Sequence, residues 1–390
     1  MIIPDRCVLV LRAIVVVLSL PLMLAAGSGQ VLASDARQRL STVASWHYQL
    51  QNIDVAALSK SDADLLVVDH AHSPPDGPQV PLTKAEVDSL KTRPDRRRRI
   101  VLAYMSIGEA EDYRYYWRPE FTVARPAWYE APSRQWPDNH HVHYWMDDWK
   151  DIIFRGPGSY LSRIQDAGFD GVYLDRVDAY ERLSKLQPAA KAEMMRLVGD
   201  VAAAARLRDP HFIVFVQNAE DLLDNADYRA IIDGLAKEDF AYGVEGDGRR
   251  NASDLVQWSG EQLRRLTADG KPVLVVEYLT DPKKQSVALA DISRDQFVPL
   301  FARRALDGPT VGASTLLAQA AVTGPKTAGA AKRAGKSDRL TLAAADRKSD
   351  GQRQRRSAGC IEKQLRTTRC KDALRTASAA PPARITTARR

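Results

Sequence analysis

The sequence predicts an α/β protein of the (β/α)8 TIM-type barrel class. It is read as a single domain, with a long aromatic-rich loop after the third strand and a disordered basic C-terminal tail. Two observations carry this prediction. Short runs rich in Val, Ile and Leu alternate with longer helix-period runs over about 285 residues, the pattern of parallel strands joined by helices and close to the usual size of an eight-stranded barrel. Several of the short runs also end in acid. Gly171 to Leu174 leads into Asp175 and Asp178, Val101 to Ser106 into Glu109 and Glu111, Phe212 to Gln217 into Asn218 and Glu220, Ile231 to Ala236 into Glu238 and Asp239, and Val273 to Val276 into Glu277. Side chains at the carboxyl ends of parallel strands face the loop-lined cleft where barrel enzymes place their chemistry. A doubly wound open sheet is the alternative, but no Gly-rich turn follows the first strand to support a nucleotide site.

Residues 1–33 are expected to be an export signal. Arg6 precedes an apolar core, Ala13 to Ala26, shorter than the roughly 20 residues a spanning helix needs, and Val31-Leu32-Ala33 fits the small-residue cleavage rule. Cleavage would leave a secreted or periplasmic chain with no transmembrane span; an uncleaved anchor is the other reading. Barrel strands are expected at Ala44 to Leu50, Asp64 to Asp69, Ile100 to Ser106, Gly171 to Asp175, Phe212 to Gln217, Ile231 to Ala236, Val273 to Glu277 and Thr310 to Ser314. Helices are expected near Asp54 to Ser59, Lys84 to Lys91, Ser159 to Ala167, Pro188 to Leu207, Leu222 to Ala230, Ser253 to Asp269 and Arg294 to Leu306. Together they define a domain over residues 34–320.

The net charge of +7 hides an asymmetry. Residues 321–390 carry 18 Lys or Arg against 5 Asp or Glu, whereas residues 34–320 carry 36 basic and 43 acidic side chains, a net of −7. A tail of that composition, almost without aromatics, cannot bury enough apolar surface to offset its ordering entropy. It is expected to be disordered, either as an electrostatic tether to an anionic surface or as a solvated extension. Its arginines lack interleaved aromatics, so no specific nucleic-acid binding is expected. Cys7 lies in the signal, and Cys360 and Cys370 lie in the tail, so the core does not depend on disulfides. Two cysteines give no zinc or iron–sulfur spacing. His140, His141 and His143 cluster, and His70 and His72 flank the second strand end, but no recognised ligand spacing accompanies them. No metal or other cofactor is expected.

Between Ile107 and Gly158 lie Trp117, Trp128, Trp136, Trp145 and Trp149, five of the seven tryptophans, with Tyr113, Tyr115, Tyr116, Tyr129 and Tyr144. A connection this long is functional or disordered, and aromatic content argues against disorder. Sugar rings stack their apolar faces on aromatics, so a carbohydrate groove is placed here, with Trp117 and Trp145 as its stacking candidates; a satellite core under a long loop is the structural alternative.

Glycoside hydrolysis needs two carboxyl groups flanking the scissile bond, one protonated and one ionised. Asp175 and Glu238 end the fourth and sixth strands, and strands two apart contribute to one interior layer, so these two are the catalytic candidates. Asp175 is expected as nucleophile and Glu238 as general acid/base, with burial raising the pKa of Glu238. A separation of about 5 to 5.5 Å would imply retention and about 6.5 to 9.5 Å inversion. Asp178, three residues on, could orient a substrate hydroxyl or hold a loop. Glu109, Glu111, Asp112, Asp147, Asp148, Asp239 and Glu277 are expected to line an acidic cleft, while Tyr104, Tyr113, Asn218 and Tyr278 stand beside strand ends and complete the substrate-binding candidates.

Four runs carry a family resemblance: Tyr104-Met105-Ser106-Ile107-Gly108-Glu109-Ala110-Glu111-Asp112-Tyr113-Arg114, Gly168-Phe169-Asp170-Gly171-Val172-Tyr173-Leu174-Asp175, Gln217-Asn218-Ala219-Glu220 and Gly234-Leu235-Ala236-Lys237-Glu238-Asp239. In order, over about Trp46 to Ser314, they resemble glycoside hydrolase family 114, the endo-α-1,4-polygalactosaminidases, in its bacterial branch. The resemblance implies a (β/α)8 barrel, secretion, no metal requirement and attack on galactosamine-containing polysaccharide, with the family's catalytic Asp and Glu falling on Asp175 and Glu238. Trp136-Pro137-Asp138-Asn139-His140 and Glu277-Tyr278 depart from its pattern. From other classes, a catalytically silent carbohydrate-binding barrel and a polysaccharide-modifying enzyme such as a deacetylase remain as alternatives.

Overall fold

The structure is a computed structural model describing residues 36–74, 77–308 and 311–312. The expected signal, the basic tail and all three cysteines lie outside the described residues. Eight parallel strands follow one another around a barrel in chain order: β1 (Trp46–Gln49), β2 (Leu65–Val68), β3 (Ile100–Ser106), β4 (Gly171–Asp175), β5 (Ile213–Gln217), β6 (Gly234–Glu238), β7 (Val273–Glu277) and β8 (Val298–Phe301). Each reads as a nearly continuous buried run, as parallel strands covered on both faces do. The sheet comes close to closing where the Trp46 indole donates to the Val298 carbonyl at 3.1 Å.

Period-two alternation divides the core into two parts. Trp46, Tyr48, Leu65, Val67, Leu102, Tyr104, Tyr173, Phe215, Ala236, Leu274, Val276 and Leu300 fill the barrel interior, while Leu66, Val68, Val101, Val172, Val214, Leu235 and Val275 pack outward against the helices. Interior space is tight: a Cβ at Gly234 would lie 2.1 Å from the Phe215 ring. Only glycine on β6 leaves room for that ring.

Local chemistry sets the helix starts. Lys84–Leu90 begins at a capping box between Thr83 and Glu86, and Pro282–Arg294 begins with Asp281 as cap and Pro282 in its first turn. The latter corrects two expectations. The segment expected as helix from Arg294 to Leu306 contains β8, and the preceding helix was missed. Of the strand expected at Thr310 to Ser314, only Val311–Gly312 is described, and it pairs antiparallel to β8. The sixth strand also starts later than expected, because Ile231 is the last residue of a helix.

The long connection after β3 is ordered. Glu109–Glu111, Tyr129–Pro132 and Asn139–Val142 form a three-stranded antiparallel sheet, followed by a helix, Asp147–Ile153. Trp128 and Trp149 are buried 5.2 Å apart, Tyr116 meets Trp149 edge-on, and the Trp149 indole donates to the Ile107 carbonyl at 2.9 Å. Much of the aromatic content is therefore core, continuous with the outer packing of the barrel.

Candidate active site

Interior positions of β4 and β6 continue from Tyr173 to Asp175 and from Ala236 to Glu238, which brings both carboxyls to the same end of the barrel. The backbone turns sharply beyond them. Arg176, Asn218, Ala219 and Asp239 have left-handed φ values of 60°, 57°, 56° and 53°, a conformation that costs non-glycine residues on the order of 1 kcal/mol or more and tends to cluster at functional sites. Gly108 packs directly over this turn, since a Cβ there would lie 2.1 Å from the Arg176 carbonyl oxygen.

Each carboxyl is gripped by a tyrosine. Tyr104 Oη donates to Asp175 Oδ2 at 2.7 Å, and the Arg176 backbone N–H donates to Oδ1 at 2.7 Å. Tyr278 Oη donates to Glu238 Oε1, Asn218 Nδ2 donates to Oε2 at 3.0 Å, and the Glu238 N–H returns a bond to Asn218 Oδ1 at 3.0 Å. Burial pushes Asp175 up to about 7, reinforced by the negative charge of Glu238 and opposed by Arg176 and the Tyr104 hydroxyl. Asp175 is thus a carboxyl whose protonated form burial favours.

A buried ionic network supports the Asp175 side. Glu111 accepts from Tyr113 Oη at 2.7 Å and from Arg114 Nε at 2.6 Å, and Arg114 Nη1 donates to Asp69 Oδ1 at 2.8 Å. Burial works to raise Asp69, but Arg114 and His70 prevail and hold it well below the usual carboxylate range. Glu109 accepts from Asn139 Nδ2 at 3.1 Å and pairs with His141 at 2.9 Å and Arg176 at 3.0 Å. Burial raises Glu109 as well; His141, Arg176 and Asn139 outweigh it and hold the carboxyl below its ordinary value. Arg176 also lies 3.7 Å from Asp178. Across the cleft, Arg304 lies over the Tyr278 ring at 4.2 Å and pairs with Asp239 at 3.0 Å, so it braces the tyrosine that holds Glu238.

Several expected binding residues take other roles. Glu109 and Glu111 are almost wholly buried, and act as supports beneath the cleft. Glu277 is wholly buried on the outward parity of β7, where Oε1 accepts from Ala241 N–H at 2.5 Å and Oε2 from Tyr242 N–H at 3.2 Å. Burial pushes it up to about 8 against those two bonds. Replacing Glu277 by Ala leaves both buried backbone donors without an acceptor, and chemical denaturation should show a loss of at least about 1–3 kcal/mol; an unchanged midpoint would contradict this loop-holding role. Trp117 stacks on His140 at 4.2 Å and Trp145 on His143 at 5.1 Å, so one face of each ring is already covered. Asp147 and Asp148 open the helix Asp147–Ile153, with Asp147 paired to Arg155, and Asp239 is neutralised by Arg304. The acid-lined cleft is therefore smaller than expected.

Sequence reasoning missed Arg114, Asp69, Arg176 and Arg304. Asp69 also closes a strand on interior parity, so the rule that found Asp175 applied to it; the arginines each have a partner distant in the chain, Asp69 for Arg114, Glu109 for Arg176 and Asp239 for Arg304. Among the described residues, no group of three or more His, Cys, Asp or Glu side chains is placed to hold a metal ion. His140 and His141 meet Asp112 and Glu109, and His143 meets the Ala127 carbonyl. Among those residues no helix is long and apolar enough to cross a membrane.

Comparison with known proteins agrees with this architecture. The glycoside hydrolase domain of PelA from Pseudomonas aeruginosa superposes with a TM-score of 0.54 at 18% identity, covering 69% of this chain and 98% of that domain; at that identity the likeness is one of fold. Uncharacterised proteins of Thermotoga maritima and Deinococcus radiodurans are each 33% identical, over 60% and 69% of this chain and 71% and 83% of their own lengths. The sequence profile of glycoside-hydrolase family GH114 matches residues 28–316, which takes in all eight strands and both gripped carboxyls. With that match over most of its length, the chain belongs to glycoside-hydrolase family GH114 and is a glycoside hydrolase.

Proposed function

We propose that this glycoside hydrolase is exported and cleaves α-1,4-linked galactosamine-containing exopolysaccharide, with Asp175 and Glu238 as its two catalytic carboxyls. The observation that carries the reading is the pair of strand-end carboxyls at one end of the barrel, each held by a tyrosine, with burial and the neighbouring Glu238 pushing Asp175 up to about 7. Hydrolysis divides the labour between two such groups. The protonated member gives its proton to the glycosidic oxygen as the bond to the anomeric carbon breaks, and the ionised member attacks that carbon or takes a proton from the attacking water. Tyr104 and Tyr278 fix the two carboxyls in orientation, Asn218 holds Glu238 as well, and Asp178 is assigned to a substrate hydroxyl.

Two orders of roles are distinguished by different observations. The sequence expectation has Asp175 attacking and Glu238 donating, whereas the raised pKa of Asp175 favours it as the donor. In a retaining reaction, azide supplied to Asp175→Gly and Glu238→Gly decides between them: where it replaces the missing nucleophile the glycosyl azide is inverted, and where it replaces water on the covalent intermediate of the acid/base variant the glycosyl azide is retained.

Support for the sugar comes from the family resemblance and from the net acidity of residues 34–320 more than from an acid-lined cleft. The test is a screen of reducing-end release from α-1,4-galactosamine polymers of graded acetylation. Release that tracks amine content supports the reading, and turnover confined to neutral glucans would sink it. Export is tested by N-terminal sequencing, with a start at or near Ser34 expected. Residues 321–390 follow the family match, and their composition supports a tethering extension dispensable for hydrolysis. Truncation after Ala320 should leave the thermal midpoint and the activity on soluble polymer nearly unchanged; failure of the truncated chain to fold would move the domain boundary.

A further inference from the structure

Trp136 is the exposed tryptophan among the large apolar side chains left on the surface of the described residues, at 47%, and Tyr113 is exposed at 44%. An indole left partly in water forgoes favourable burial of apolar surface, and exposed aromatics with one apolar face and one polar edge are the surface that ligands use. We propose that Trp136 and Tyr113 form an outer subsite of the cleft that stacks the C–H face of a pyranose unit of the polymer, away from the scissile bond. This inference rests on the polysaccharide reading above and names a part of that site.

Three features support it. The turn bearing Trp136 is held firm: the Ser133 hydroxyl accepts from the Trp136 N–H at 3.3 Å, the Asn139 N–H donates to the Trp136 carbonyl at 3.0 Å, and the Ser133 N–H donates to the Asn139 carbonyl at 2.7 Å. A ring presented by an ordered turn loses little entropy when it binds. The turn is also continuous with the cleft. The Asp112 N–H donates to the Asp138 carbonyl at 2.9 Å, which lays it beside Tyr113, and Asn139 reaches Glu109, which pairs with Arg176 next to Asp175. Finally, Tyr113 turns its hydroxyl inward to Glu111 and carries the Arg114 guanidinium 4.9 Å from its ring centre, so it is fixed in place while much of the side chain faces solvent. Trp117 and Trp145 also have one face covered, by histidine, and are less exposed than Trp136 and Tyr113. The signal was present in the sequence as one of five tryptophans in the loop, but spacing could not say which of them stays exposed.

The test is kinetic and uses the full chain. On a long galactosamine polymer, Trp136→Ala should raise KM about ten-fold and weaken retardation in polymer-containing gels by a similar factor, the order expected for loss of one stacking platform. On an oligosaccharide too short to reach the turn the loss should be much smaller, and Trp136→Tyr, which keeps a flat ring, should recover most of the affinity for polymer. An unchanged thermal midpoint will show that the loss is not unfolding. An active wild type beside a Trp136→Ala variant with KM and gel retardation within about two-fold of it would overturn the subsite. Failure of the substrate reading looks different, since the wild type itself would then release nothing from these polymers.

Discussion

Asp175→Asn and Glu238→Gln should each lower kcat by about 10²- to 10⁴-fold while leaving polymer binding largely intact, because each removes a proton donor or acceptor without altering the shape of the cleft. The two variants should part company in stability. Asp175 rises from 3.8 to about 7 on folding, so the unfolded chain releases its proton first as the pH increases. The contribution of this group to stability is full below about 3.8 and declines as pH rises through about 7, where the fold must hold a second negative charge beside Glu238. An amide has no such charge. Asp175→Asn should therefore have a higher thermal midpoint than the wild type at pH 8, with a smaller difference at pH 5. A variant that keeps near-native turnover would remove its residue from the pair, and a midpoint difference that shrinks as pH rises would contradict the burial of Asp175.

Arg114→Met should be the most damaging change to the fold. The guanidinium is wholly buried between Asp69 and Glu111, with the rings of Tyr104, Tyr113 and Tyr160 around it at 5.9, 4.9 and 5.4 Å. Removing one partner of a buried ionic group leaves uncompensated charge and costs about 3–5 kcal/mol, a large part of the roughly 5–15 kcal/mol by which a domain is stable. Denaturant titration should show it, and Asp69→Asn added to Arg114→Met should recover part of the loss. A penalty under about 1 kcal/mol would mean that the network contributes little to the barrel.

The barrel was legible because most of its strands are continuous apolar runs, several of which end in acid, and Asp175 and Glu238 could be singled out because both stand on interior parity. The same rule misplaced Glu277. Counting from Val273, the interior positions of β7 are Leu274, Val276 and then Tyr278, so the acid one step out of phase faces the helices and its neighbour reaches Glu238. β8 was hidden for another reason: four residues containing Pro299, set in a run that reads as helix, give neither length nor a clear period. Its position follows from tertiary pairing with β7, which includes Val275 beside Pro299. The ionic supports were beyond reach of local patterns, since Arg304 meets Asp239 across 65 residues and Arg114 meets Asp69 across 45.

The most direct test of the account sets the wild type beside the Asp175→Asn, Glu238→Gln double variant in one assay of reducing-end release from a partly deacetylated α-1,4-galactosamine polymer. The account predicts steady release by the wild type and none above background by a double variant that is folded and still retarded by the polymer. Release by the double variant at a rate near that of the wild type would contradict it.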